Sequence, residues 1–215
     1  MRNALDMKTF RDTIFEQIPE GMKEQLANIP FRAKRILDAV SKSHILFQNE
    51  IAKDIYPYIR RIAVDFCLYL LAKEDASFRS SIQLNKSGNS RHVELTFGLN
   101  LLTASHVKSR NDLPREAIFR TELIEQNPML PFEDVASQEE RLDHQYMILT
   151  YGGENFLSVD FVNLKFPLKE GGHITFDLMP FAKLVVGEEV VPSENTDQEI
   201  AIELKNFIEQ HKLAE

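Results

Sequence analysis

Residues 50–72 read EIAKDIYPYIRRIAVDFCLYLLA and residues 90–97 read SRHVELTF, and between them the apolar pattern changes period. In the first stretch Ile51, Ile55, Tyr58, Ile59, Ile62, Phe66 and Leu70 recur at helical spacing, with Ala52, Ala63, Cys67 and Leu71 widening the stripe. This predicts a central buried helix. Pro57 lacks a backbone donor and crowds the preceding turn, which places a kink or break between Asp54 and Pro57. In the second stretch Val93, Leu95 and Phe97 alternate with His92, Glu94 and Thr96, the signature of a strand with one face on a core. It pairs with residues 79–84 across the turn Lys86-Ser87-Gly88-Asn89. A buried helix feeding a hairpin gives an α+β fold: an N-terminal helical layer on an antiparallel sheet or meander, with a C-terminal helix.

Upstream, Phe10, Ile14 and Ile18 predict one short helix, and Met22, Leu26 and Ile29 another that stops at Pro30. Ala33, Ile36, Leu37 and Val40 predict a further helix ending near Ser41. Downstream, residues 99–108 fit neither period cleanly. Asp112 can cap an inserted helix over residues 113–126, with Pro114 in its first turn and Ala117, Ile118, Thr121 and Ile124 on one face. Residues 127–141, with two prolines and four acidic side chains, read as a mobile surface loop. Residues 144–151 are apolar on both faces and predict an internal strand. Gly152-Gly153-Glu154-Asn155 and Lys169-Glu170-Gly171-Gly172 then turn the chain into strands at 156–166 and 173–179, a three-stranded meander. Thr196 and Glu199 have the spacing of a capping box ahead of Ile200, Leu204, Phe207 and Ile208, predicting a helix at 197–212. The whole chain, 1–215, reads as one α+β unit: a helical part at 1–76, a β part at 79–179 and the C-terminal helix.

Composition narrows the function classes. The 215 residues are 43% apolar and 27% charged, enough to bury a full core. Cys67 is the single cysteine, so neither an internal disulfide nor a cysteine-rich zinc site can form. That usage, the lack of a secretory pattern in residues 1–10 and the absence of any run of 18 apolar residues lead to the expectation of a cytoplasmic protein that does not span a membrane. The phosphate-cradling glycine loop, the dinucleotide-binding glycine triplet, the zinc-protease helix motif and the serine-hydrolase elbow are all absent. The sequence names no cofactor. Cys67 lies mid-stripe, where an apolar setting keeps a thiol protonated and inert.

Two constellations remain. Along the strands, His92 and Glu94, then Asp160, then His173 and Asp177 occupy polar positions, joined by Thr96, Ser158 and Thr175. On neighbouring strands they could hold a divalent ion and activate water for a hydrolase or nuclease. The same alternation arises in any antiparallel sheet with one wetted face. The Glu203-Leu204-Lys205 triplet resembles the carboxylate–lysine pair of metal nucleases, but Leu204 belongs to the apolar stripe of a helix, which makes its neighbours solvated flanks.

The second constellation is charge. Residues 1–126 hold 19 Lys or Arg against 16 Asp or Glu, whereas residues 127–215 hold 6 against 17, within an overall charge of -8. Arg32, Lys34, Arg35, Lys108, Arg110, Arg115 and Arg120 are the expected partner-binding residues, with Arg60 and Arg61 nearby in the basic part. Helix, turn, helix and hairpin between residues 31 and 97 have the outline of a winged helix-turn-helix with a wing at 85–90. The second helix is too long and too apolar to read a DNA groove. Tyr56 and Tyr58 flank Pro57 as structural aromatics. The reading is therefore a non-enzymatic cytoplasmic recognition protein that meets a macromolecular partner through a charge-polarised surface. A metal-dependent hydrolase and direct DNA or RNA binding through the basic helices and first hairpin are the alternatives.

Overall fold

A computed structural model of the protein describes residues 12, 14–43, 45–86, 88–127, 145–154, 158–169 and 171–183. The predicted helix at 197–212, nearly all of the 127–141 loop and the start of the first short helix lie outside these residues. The fold class is α+β, as the change of period predicts.

The first long helix, α1, runs Glu20–Ser43 and passes straight through Pro30. The two helices expected on either side of Pro30 are thus one. An internal proline costs a helix about 3 kcal/mol. Leu26, Ala27 and Ile29 before it and Ala33 and Ile36 after it are all buried in the same core, and each large apolar side chain contributes about 1.5–3 kcal/mol on burial. Continuity of the buried face wins.

The central segment divides where Pro57 predicts. Two 3-10 helices, Ile45–Gln48 and Glu50–Ile55, lead into α2, Tyr56–Glu74, with Pro57 in its first turn, where a missing N–H costs nothing. Ala63, Val64, Phe66, Cys67, Leu68, Leu70 and Leu71 are buried. Ile51, Ile55 and Tyr58, assigned to the same buried stripe by periodicity, are exposed instead. Arg60, counted among the surface bases, is only 1% exposed; its Nη2 donates to the Ser158 carbonyl at 2.9 Å and its guanidinium lies 5.0 Å from the Tyr151 ring centre.

Six strands follow in spatial order β1 to β6: Arg79–Leu84, Arg91–Phe97, Asn100–His106, Gln145–Gly152, Phe161–Pro167 and His173–Asp177. The ambiguous 99–108 stretch is β3. The β1–β2 hairpin turns at Gly88, whose φ of 69° is the left-handed conformation glycine adopts cheaply. The last three strands are the expected meander, although β5 starts at Phe161 and not at residue 156. One pairing departs from the antiparallel expectation: β3 and β4 run parallel. A parallel pair requires a crossover connection, of which residues 107–127 are described. Its helix α3 spans only Ile118–Ile124 with Ala117 at its N-cap. Asp112 does not cap it; its Oδ2 accepts from the Ser109 amide at 3.0 Å, closing a turn ahead of Pro114. At the far end of this parallel pair Gly152 is obligatory, because a Cβ there would stand 2.2 Å from the Val107 carbonyl oxygen.

Val93, Leu95, Phe97, Leu102, Met147, Leu149, Val162, Leu164, Phe166, Ile174 and Phe176 form one sheet face and merge with α1 and α2 into a single apolar cluster. Every residue of β4 and β5 is buried. The opposite face is therefore covered over these central strands as well, as the two-sided apolarity of 144–151 predicts.

Candidate functional site

The polar side chains of the sheet alternate as expected but do not converge. Strand order separates β2 from β6 by four spacings, about 19 Å at roughly 4.8 Å each. On β2, His92 Nε2 stands 3.5 Å from Glu94 Oε1, while Nδ1 faces Asn85 Oδ1 at 3.1 Å and the ring stacks on Phe119 of α3, centroids 4.0 Å apart. On β6, His173 Nε2 is 3.0 Å from the Lys165 amine, and Asp177 is paired with Arg110 at 2.9 Å. Asp160 precedes β5, accepts from the Glu154 amide and from Ser158 Oγ, and exerts its charge on Arg60 of α2. Among the described residues no three His, Cys, Asp or Glu side chains come close enough to share a metal ion. The five candidates thus fall into separate neighbourhoods. Glu203 and Lys205 lie outside the described residues.

The covered face also holds polar residues that the sequence reading did not single out. Lys165 and Asn163 of β5 and Thr150 of β4 have no accessible surface. Asn163 Nδ2 donates to the Arg110 carbonyl at 3.1 Å, whereas its Oδ1 has no partner among the described residues. Burial lowers the Lys165 pKa, opposed by the charge of Asp112, and burial together with the charge of Lys165 lowers that of His173. A lysine pKa below the unfolded value means that folding works against the proton, so stability is reduced wherever the ammonium must stay charged inside. Lys165→Met keeps the length of the side chain without the charge and is expected to stabilise the protein by about 1–2 kcal/mol at pH 7, read from the urea midpoint. A loss of stability on that replacement would mean that the amine is held by more than His173.

The seven basic residues are similarly divided. Arg32 grips Glu74 with both terminal nitrogens, at 3.0 and 2.9 Å, and Lys34 pairs with Asp38 at 2.6 Å. Arg110 is committed to Asp177. Arg120 turns inward, donating to the Arg115 carbonyl at 2.6 Å and to Ser105 Oγ at 3.4 Å, with burial lowering its pKa. Arg35 on α1 and Lys108 and Arg115 on the connection leading to α3 are the exposed remainder.

A different surface stands out where α1 meets α2. Ile45, Ile51, Ile55 and Tyr58 are 77%, 80%, 43% and 65% exposed. The two 3-10 helices touch each other, and helical geometry sets Ile51, Ile55 and Tyr58 within a wedge of roughly 120°. The segment that displays them is fastened by its own bonds. Asn49 caps the second 3-10 helix through the amides of Ile51, at 2.7 Å, and Ala52, at 3.3 Å. The Tyr56 hydroxyl donates to the Phe47 carbonyl, Gln48 to the Lys42 carbonyl at 3.2 Å, and Lys53 pairs with Glu50 at 2.8 Å. Buried Ala52 anchors the elbow beneath. Sequence periodicity could not find this patch, because a stripe of the right period looks the same whether or not anything covers it. The one usable sign is Pro57, which sets the start of α2 at Tyr56 and leaves the isoleucines before it on a separate turn.

Comparison with protein-family models, with curated proteins and with solved structures gave no match.

Proposed function

We propose that this protein is a non-enzymatic recognition module whose contact surface is the apolar elbow of Ile45, Ile51, Ile55 and Tyr58. The supporting observation is that four large apolar side chains stay in water on a segment locked by caps and local hydrogen bonds. Exposed apolar patches of this kind are where proteins meet partners. The surroundings indicate the partner's chemistry. Residues 32–61 carry seven Lys or Arg against three Asp or Glu, and Arg35 and Lys42 of α1 and Arg61 of α2 are exposed. The occupant is an amphipathic helix of another protein, apolar on the side that meets the isoleucines and acidic at its rim.

The test places a photo-crosslinking side chain at position 58 in the native cell and sequences the captured peptide. The expected result is one recurrent partner segment with apolar residues at helical spacing and flanking Asp or Glu. Ile51→Glu is expected to weaken that complex about 30-fold or more, the effect of losing a central apolar anchor, while Lys169→Glu on the distant β5–β6 turn leaves it unchanged. Scattered crosslinks without a recurrent segment, or capture indifferent to Ile51→Glu, would remove the elbow as the contact surface.

A further inference from the structure

Among the described residues the sheet ends on one side in β1, with nothing paired beyond it. In the β1–β2 ladder Asn85 donates to the Ser90 carbonyl at 2.8 Å, and in an antiparallel pair the mutually bonded residues alternate. Arg79, Ser81 and Gln83 therefore face Thr96, Glu94 and His92 with their backbone bonds. The amides and carbonyls of Ser80, Ile82 and Leu84 point away from the sheet. Exposed edges are normally blunted by proline, a bulge or a charged side chain, and Ser80–Leu84 has none of these. The opposite edge, β6, is guarded: Asp177 is tied to Arg110 and His173 to Lys165.

We infer that β1 is the seam of a two-fold dimer, in which the β1 strands of two copies pair antiparallel about Ile82 and join two sheets into one. The strand is self-complementary in that register. Ser80 comes opposite Leu84 of the second copy, so a small side chain meets the half-exposed leucine, and Ile82 meets its own equivalent on the face continuous with the core. On the other face Ser81 meets Gln83, and Arg79 meets the neutral Asn85. No like charges oppose each other anywhere along the seam. Each outward amide and carbonyl of Ser80, Ile82 and Leu84 finds its counterpart. Such an isologous contact closes on itself and leaves no further edge to propagate.

Sedimentation of the full chain distinguishes the outcomes. The wild type is expected at twice the chain mass, with the amides of Ser80, Ile82 and Leu84 protected from hydrogen exchange. Ser80→Lys combined with Leu84→Lys sets lysine against lysine across the seam and is expected to give a folded single-mass species with those amides exchanging freely. Ser80→Lys with Leu84→Glu sets lysine against glutamate and is expected to restore the double mass, a rescue that a folding defect would not show. A wild type of single mass at 100 µM-scale concentrations, or a double mass indifferent to the lysine pair, would overturn the seam. So would dissociation by Ile51→Glu alone, which would move self-association to the elbow. Protection of the three amides only when a foreign protein is bound would make the occupant another chain's strand.

Discussion

Asn127→Ala is expected to cost about 3 kcal/mol of stability, a large share of the 5–15 kcal/mol that holds a typical domain folded. Asn127 is 3% exposed and sits where the crossover returns to the sheet. Its Nδ2 donates to the Tyr146 carbonyl at 3.0 Å and to the Pro167 carbonyl at 2.7 Å, while its Oδ1 accepts from the Tyr146 amide at 2.6 Å. The β4–β5 register, Ile148 opposite Lys165, continues to Tyr146 opposite Pro167, and a proline has no N–H to give. The carboxamide supplies the donor and acceptor that a peptide group would otherwise have provided. Alanine leaves one amide and two carbonyls dry, each at about 1–3 kcal/mol, with partial relief from entering water. Asn127→Asp separates the two roles. The carboxylate keeps the acceptor and loses the donor, and burial would disfavour its charge, so this variant should be less stable at pH 7 than at pH 4 relative to the wild type. Urea unfolding at both values is the measurement; a loss under 1 kcal/mol for Asn127→Ala would show that Asn127 does not close the ladder.

The clasp at Asn127 also marks the border between what the residues announce and what they conceal. Val93, Leu95 and Phe97 declare a half-buried strand because period 2 and burial on one side are the same fact, and Gly88 places the turn. Cys67 is buried, and burial pushes its thiol up to about 12, in keeping with its position mid-stripe. Lys165 and Asn163 mislead for a different reason. In Phe161–Pro167 they alternate with Val162, Leu164 and Phe166 as wetted residues would, yet both are buried, Asn163 bonded to the Arg110 carbonyl beyond β3 and Lys165 beside His173 of β6. Pro30 misleads because a local penalty is judged without the long-range burial that overrides it. The convergence imagined for His92 and His173 depended on strand order, which no local pattern encodes. Ile51 and Tyr58 were placed inside for the same cause: periodicity reports which residues share a face, not whether the face has a neighbour. The elbow and the β1 edge are both legible only as surfaces left over once the other described residues have paired.

A second large effect concerns pH. Asp65 of α2 is buried among the core residues of that helix, and desolvation pushes its carboxyl up to about 7, against the opposing pull of Arg61, a backbone bond from Val93, and the charges of His92 and Arg120. Tyr151 of β4 and Arg60 complete the surrounding set, and burial likewise pushes the Tyr151 hydroxyl upward. Between the ordinary carboxyl value of 3.8 and about 7 the folded protein keeps a proton that the unfolded chain releases. Stability linked to this group is therefore full below pH 4, falls as pH rises through that window, and levels off above it, a change of about 3–4 kcal/mol. His106 and His173, whose pKa values burial lowers, act in the other direction below pH 6.5, so the wild-type profile alone would blend these contributions. Asp65→Asn isolates the carboxyl, because the amide oxygen still accepts from Val93 and nothing titrates. At pH 4 the variant should match the wild type, and at pH 8 it should be the more stable by about 2–4 kcal/mol, with the gap opening between those values. Equal stability of the two proteins at pH 8 would mean that Arg61 and Arg120 fully compensate the buried charge, and that Asp65 is ionised at no cost in the folded state.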